Sequence, residues 1–199
     1  MANVLVLFAH PAQQQSRINR ALADVARQTE GITFVDLYAK YPRFKIDIDA
    51  EQDQLLAHDV LVLQFPVYWY STPSILKEWQ DLVLEFGWAY GPGGDKLTGK
   101  RMMPVVTLGG AQEAYGEAGR NKFELRTLLS PLEATANLCG MTFLPPLALF
   151  SAHQARDDGR QTGHADDYRR LLTALREDRF DAQDAPLTDP ATLPQLQGA

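Results

Sequence analysis

Three short segments concentrate side chains that can do chemistry. The first, His10-Pro11-Ala12-Gln13-Gln14-Gln15-Ser16-Arg17-Ile18-Asn19, leads a polar loop into helical periodicity. Free N–H groups and the dipole at such a helix start favour a phosphate, and Ser16 can donate its hydroxyl to one. Taken alone, this segment fits a plainer reading better, in which Ser16 caps the helix and His10 bonds the loop backbone. The second segment, Pro66-Val67-Tyr68-Trp69-Tyr70-Ser71-Thr72-Pro73, puts three consecutive aromatics in a turn, where packing seldom asks for them. Their ring faces and inward backbone N–H groups suit a flat aromatic ligand with a polar edge, such as an isoalloxazine. The alternative is a hydrophobic plug under a loop. The third, Thr107-Leu108-Gly109-Gly110, offers backbone that a ligand can approach with no Cβ in the way, a slender signal by itself.

These segments need a frame that brings them together. Apolar runs at 3–9, 32–37, 59–65, 102–108 and 142–150 read as five strands, and their near-continuous apolarity predicts strands covered on both faces. Helical spacing lies between most of them. Ile18, Ala21, Leu22, Val25 and Ala26 form one stripe ending at Gly31. Thr72 as N-cap with Pro73 at N1 opens a second, striped by Ile75, Leu76, Trp79, Leu82, Val83 and Phe86. Ser130, Pro131 and Glu133 have capping-box spacing, with Gly140 ending that helix, and a last helix is expected at about 164–176. The alternation predicts an α/β fold: a doubly wound, flavodoxin-like parallel sheet of five strands in the order 2-1-3-4-5. Pro145 and Pro146 suit an edge position for the fifth strand. Ligands of such sheets bind outside the carboxyl ends of the central strands, where all three segments fall. The domain is expected to span 1–180, with an extended tail over 181–199 broken by Pro186, Pro190 and Pro194.

Composition and spacing remove several other functions. With 199 residues and 45% hydrophobic content, the chain can bury one core without disulfide or metal. Nineteen basic against twenty-five acidic residues give a net charge of -6, which repels phosphate backbones and argues against nucleic acid. The single Cys139 excludes an internal disulfide, reads as core and suits a reducing, cytoplasmic setting. The run at 4–9 lacks the basic flank of a signal peptide, and Gln64, Pro66 and Pro104 interrupt every candidate span. Gly94-Asp95-Lys96-Leu97-Thr98-Gly99-Lys100 has phosphate-loop spacing, but Arg101 replaces the Ser or Thr that must hold magnesium, and the segment precedes a strand. Asp47, Asp49, Glu51 and Asp53 alternate like calcium ligands yet lack the glycine and the terminal Glu, and are expected on a solvated face. His10, His58, His153 and His164 show no metal-type pairing.

Taken jointly, the residues resemble a known family. Ala9-His10-Pro11 with Ser16, Ile18 and Asn19, then Gln64 through Pro73, then Leu76-Lys77-Glu78-Trp79, look like the flavin-dependent NAD(P)H:quinone oxidoreductases in order and spacing. Gly87-Trp88-Ala89-Tyr90-Gly91 with Gly93, Gly94, Gly99 and Lys100 most resembles the ancillary flavoprotein of glutathione-gated potassium-efflux systems. The resemblance covers about residues 3–176. It implies that His10, Ser16, Arg17, Ile18 and Asn19 surround the flavin phosphate and ribityl chain. Pro66, Val67, Tyr68, Trp69 and Tyr70 would line the isoalloxazine, and Thr107, Leu108, Gly109 and Gly110 its pyrimidine edge. Tyr115 falls where the family has a tyrosine near the reduced flavin. Tyr90, with Trp88 beside it, would close the substrate pocket of a neighbouring subunit in a homodimer. Two departures stand out: the family's paired threonines are Thr107-Leu108 here, and its histidine six positions past the tyrosine is Asn121.

The resemblance thus implies a flavoenzyme, with FMN favoured and FAD open, that takes hydride from NAD(P)H and passes two electrons to a quinone-like acceptor. Tyr115 and Asn121 would be its catalytic candidates. The other implied role is a regulatory flavin-binding subunit docked on a membrane potassium-efflux antiporter, which would set it at the inner face of the membrane through that partner. An electron-carrier flavodoxin is disfavoured, since the hydroxyl-rich phosphate loop of such carriers is missing.

Overall fold

The computed structural model describes residues 1–12 and 14–180. Five strand positions lie side by side in one parallel sheet. β1 (Val4–Phe8) is flanked by β2 (Ile32–Asp36) and β3 (Val60–Pro66), followed by β4 (Arg101–Thr107) and the short β5 (Thr142–Phe143), in the order β2-β1-β3-β4-β5. Register is in step across the centre, with Val4 opposite both Ile32 and Val60, and Val60 opposite Arg101. The expected order therefore holds, and so does burial on both faces. Val4, Val6, Val60 and Val62 face one apolar cluster, completed by Ile18, Leu22 and Val25 of α1 (Arg17–Gln28) and by Tyr168, Leu171 and Leu175 of α7 (Arg160–Arg176). Leu5, Leu7, Leu61 and Leu63 face the other, where Ile75, Leu76 and Trp79 of α4 (Ser74–Val83) pack. Alternate residues of one strand serve opposite clusters, so the strands read as unbroken apolar runs.

Several local expectations give way. The fifth strand is two pieces: β5 and β6 (Leu147–Leu149) both pair with β4, at Met102↔Phe143 and Val105↔Leu147. The break falls opposite Met103 and Pro104, so three prolines that cannot donate to a ladder, Pro104, Pro145 and Pro146, meet at one height. Thr72 does not cap α4. Pro73 is extended (ψ 149°), and its carbonyl takes the N–H groups of Leu76 and Lys77, so the helix starts one residue later. The helix also stops at Val83, and Phe86 leaves the stripe for solvent.

Ser130 and Glu133 form no capping box either. α5 (Leu125–Leu128) precedes α6 (Ser130–Leu138) directly, the Leu129 carbonyl accepts from Leu132 and Glu133, and Glu133 instead takes Arg126 at 2.7 Å. Gly140 does end α6, at φ 69°. α7 begins at Arg160, a turn earlier than expected.

The acidic alternation proves to be a helix. Asp36 caps the single turn α2 (Leu37–Lys40), and Asp47 caps α3 (Ile48–Ala57) by accepting from the Ala50 N–H at 3.1 Å. Asp47, Asp49 and Asp53 are exposed, but Glu51 is wholly buried. Its carboxylate accepts from Lys40 Nζ at 2.5 Å, Tyr41 Oη at 2.7 Å and Trp79 Nε1 at 2.8 Å. A buried carboxylate persists when donors surround it, and these three tie α2, α3 and α4 together.

Candidate functional site

β1, β3, β4 and β6 all end at one rim of the sheet, and a cavity of about 900 Å³ opens there. That volume lies in the upper part of the range of about 300–1,000 Å³ typical of pockets for small ligands. Of the residues singled out in the sequence, His10, Ser16, Arg17, Ile18, Asn19, Pro66, Val67, Tyr68, Trp69, Thr107, Leu108 and Gly109 line it.

One end is a buried polar lattice. Ser16 caps α1 and accepts from both the backbone N–H and Nδ2 of Asn19, each at 3.2 Å. Asn19 Nδ2 also donates to Thr107 Oγ1 at 2.9 Å, and the Asn19 carbonyl accepts from Gln64 Nε2, whose own Oε1 accepts from Tyr168 Oη at 3.0 Å. The lattice thus joins α1, β3, β4 and α7. Ser16 keeps its hydroxyl hydrogen free to donate, and the N–H groups of Arg17 and Ile18 have no acceptor among the described residues. Ser16 is therefore a cap, as the plainer reading of this segment has it, and it also lines the cavity. His10 Nδ1 accepts from the Ala12 N–H at 3.1 Å, leaving Nε2 3.5 Å from Tyr68 Oη. Burial pushes the His10 imidazole below its ordinary pKa, which favours the neutral ring with its proton on Nε2.

The opposite end is aromatic, open and strained. Tyr68 and Ser71 exchange backbone hydrogen bonds at 3.1 and 3.0 Å, closing a two-residue turn whose central residues, Trp69 and Tyr70, have φ of 48° and 64°. Asn-Gly is the usual occupant of such a turn, and a bulky side chain in the left-handed region costs about 1–2 kcal/mol. Trp69 is 93% exposed, so its own packing does not repay that strain. Strain of this kind gathers where a ligand is gripped.

Leu108 turns its side chain into the core and donates its N–H to Leu149, presenting only backbone to the cavity. A Cβ on Gly109 would meet nothing within 4 Å. Gly110 is set back from the cavity lining. A Cβ there would lie 3.2 Å from the Tyr115 ring, so this glycine lets Tyr115 pack on the loop. Tyr115 also packs on Phe150, and burial together with nearby Tyr70 raises its phenol pKa. Tyr70 and Asn121 meet at the rim instead of lining the cavity, Tyr70 Oη donating to Asn121 Oδ1 at 3.3 Å. Trp88 and Tyr90 lie elsewhere, against the core on the α4 side, with Tyr90 edge-on to Phe86 at 5.7 Å.

The sequence reading missed the wall after β6, where Ala152, His153, Arg156 and Asp157 line the cavity together with Ala12 and Gln15 of the first loop. The signal was positional: the turn after the fifth strand also lies at the carboxyl rim, but its polar run has no periodicity to mark it.

Residues 2–172 match the family described as flavodoxin-like fold. The uncharacterized NAD(P)H oxidoreductase YdeQ of Bacillus subtilis (strain 168) is 45% identical over 153 residues, covering 77% of this chain and 78% of its own. The glutathione-regulated potassium-efflux system ancillary protein KefG of Cronobacter sakazakii is 47% identical over 153 residues, covering 77% of this chain and 83% of its own. The crystal structure of general stress protein 14 from Treponema denticola, in complex with FMN, matches with a TM-score of 0.82 and 38% identity over 87% of this chain and 99% of that one. Fold, motifs and relatives agree, and this chain belongs to the flavodoxin-like-fold family that also holds these NAD(P)H oxidoreductases and potassium-efflux ancillary proteins.

Proposed function

We propose that the chain binds FMN in the 900 Å³ cavity and uses it to carry two electrons from NAD(P)H to a quinone-like acceptor. The observation that carries this is the pairing of a helix N-terminus at one end of the cavity with a strained, exposed aromatic turn at the other. The residues fit such a ligand. Asn19 Oδ1 is buried without a partner among the described residues and suits a ribityl hydroxyl, while the open side of Gly109 admits a flat ring. Bound there, FMN supplies hydride acceptance and two-electron donation.

The chain's part is positioning and electrostatics. The N–H groups of Arg17 and Ile18 and the Ser16 hydroxyl hold the phosphate. The Tyr68 and Trp69 rings border the flat ring system, and the Gly109 N–H faces its polar edge, where charge collects on reduction. Tyr115 supports that loop through Gly110, and Asn121 acts through Tyr70 as a positioning residue. Tyr90 and Trp88 serve a partner subunit's pocket in a homodimer. Both substrates use one open face in turn, so initial rates with NADPH and a simple quinone should give parallel double-reciprocal lines. Intersecting lines, or no flavin retained by protein refolded with FMN, would overturn this reading.

KefG supports a second reading, a regulatory subunit on a membrane transporter, to which the exposed aromatic rim is open. No helix among the described residues is long and apolar enough to cross a membrane. Co-purification with a potassium-efflux antiporter, lost on removing Trp69, tests it.

A further inference from the structure

The chain carries more acid than base, and most of its arginines are held by a carboxylate: Arg27, Arg101, Arg126, Arg160, Arg169, Arg170, Arg176 and Arg179 all make ion pairs. Arg17, Arg20, Arg43, Arg120 and Arg156 make none among the described residues, and of these five Arg17 and Arg156 line the cavity, with Asp157 next to Arg156. They come from different elements, one from the first turn of α1 and the other from the turn between β6 and α7. Two arginines without an ion pair and a helix N-terminus therefore line one cavity, and among the described lining residues Asp157, itself exposed, is the one carboxylate. Leaving both arginines unpaired in an acidic protein makes sense where an external anion completes them.

We propose that the 152–157 turn is a charge arm: Arg156, which lines the cavity together with Arg17, makes the site select a flavin bearing a terminal phosphate monoester over the same flavin without it. This rests on the flavin reading above and adds to it a residue the motifs do not contain. A phosphate monoester carries close to two negative charges at neutral pH and offers three acceptor oxygens, so it can use the α1 N–H groups and a guanidinium fork together. Asp157 moderates the attraction and keeps the site from holding any anion.

The test is flavin fluorescence quenching with FMN and with riboflavin, for wild type, Arg156→Gln and Asp157→Asn, at low and high salt. Arg156→Gln should weaken FMN roughly 10-fold while riboflavin binding stays put, the scale of one charge-assisted contact at a partly exposed site. Asp157→Asn should tighten FMN by a few-fold, and both effects should shrink as salt screens the charges. An unchanged FMN-to-riboflavin ratio in both variants would overturn the proposal. So would parallel loss of both ligands in Arg156→Gln, which would make the turn a structural element. Unchanged FMN binding with a raised KM for NADPH relative to NADH would also overturn it, assigning the charge to the nucleotide's extra phosphate. Wild type that binds neither flavin would sink the flavin reading itself, an outcome distinct from any change confined to the variants.

Discussion

The two ends of the cavity are built on opposite principles. At the end proposed to hold the phosphate, His10, Asn19, Gln64 and Thr107 are all buried, and the hydrogen bonds of the last three run through four elements of the fold. At the aromatic end Trp69 stands almost wholly in solvent, and two residues hold a left-handed backbone that their side chains disfavour. One end is preorganised by a chain of hydrogen bonds in which each supports the next, while Asn19 Oδ1 has no partner among the described residues. The other is held against local preference and recovers its strain only when something lies on it. Under the proposed function, such a site would anchor its ligand by the tail and leave the reacting face open to exchange of substrates.

The largest effect should come from the buried end. Asn19→Ala removes side-chain donors to Ser16 and Thr107 at a buried position in the cavity wall, and should destabilise the protein by roughly 2–3 kcal/mol in urea unfolding. FMN affinity should fall with it. A loss under 1 kcal/mol would mean that the lattice relaxes without Asn19, and the contrast between the ends would weaken. The aromatic end should behave in the opposite sense. Trp69→Gly places at φ 48° a residue that accepts it freely, and it forfeits almost no buried area. Unfolding free energy should rise by up to about 1 kcal/mol, the relief exceeding the entropy glycine adds to the unfolded chain. Flavin affinity should drop by about 1 kcal/mol as ring contact is lost. If stability falls instead, no strain is stored in that turn.

Most of the frame was legible because strands buried on both faces leave continuous apolar runs, and the order of the sheet followed from the alternation. What escaped did so for local reasons. α3 was hidden because Glu51, a charge, occupies its core-facing position, so the pattern looked like a solvated face until Tyr41, Trp79 and Lys40 supplied donors from elsewhere. The capping box at Ser130 failed because α5 already provides the turn that a cap would replace. In the site, residue types revealed which turns matter but not their conformation. Nothing in Tyr68-Trp69-Tyr70-Ser71 announces a backbone that Asn-Gly would prefer, since only the surrounding fold imposes it. The proposed charge arm escaped because only the fold shows which arginines lack an ion pair and also line the cavity.

A smaller effect concerns pH at the buried end. Burial holds the folded His10 pKa below its unfolded value of 6.5, so the unfolded chain binds more protons between the two. The resulting stability is present in full above pH 6.5 and is lost as pH falls through the lowered value. His164, buried with its pKa lowered to about 4, acts with the same sign further into acid. In a His164→Gln background, the fall in unfolding free energy from pH 7 to 5 should be visibly smaller once His10→Gln is added. An unchanged slope would mean that His10 is not held neutral by the fold, and the phosphate end would be less closed to water than its burial indicates.

The smallest effect lies where the aromatic turn meets the loop after β4. Tyr70 Oη reaches Asn121 Oδ1 at 3.3 Å, at an exposed position, so this long bond should be worth no more than about 0.5 kcal/mol. Its role is to hold the strained turn against the loop that carries Gly109 and Tyr115. If Asn121 acts only through Tyr70, then Tyr70→Phe and Asn121→Ala should each slow flavin reduction by NADPH slightly, and the double variant should be no slower than either one, because both remove the same bond. A merely structural effect at two separate places would instead add. Asn121→His supplies an independent check, since the wild-type amide cannot titrate between pH 5 and 8 while the introduced imidazole can. Asn121 stands outside the cavity lining, so the pH profile of flavin reduction, measured at full flavin occupancy, should keep the wild-type shape. A new limb near neutrality would show that this position reaches the reacting ring, making Asn121 a catalytic residue and extending the aromatic end inward to where charge develops.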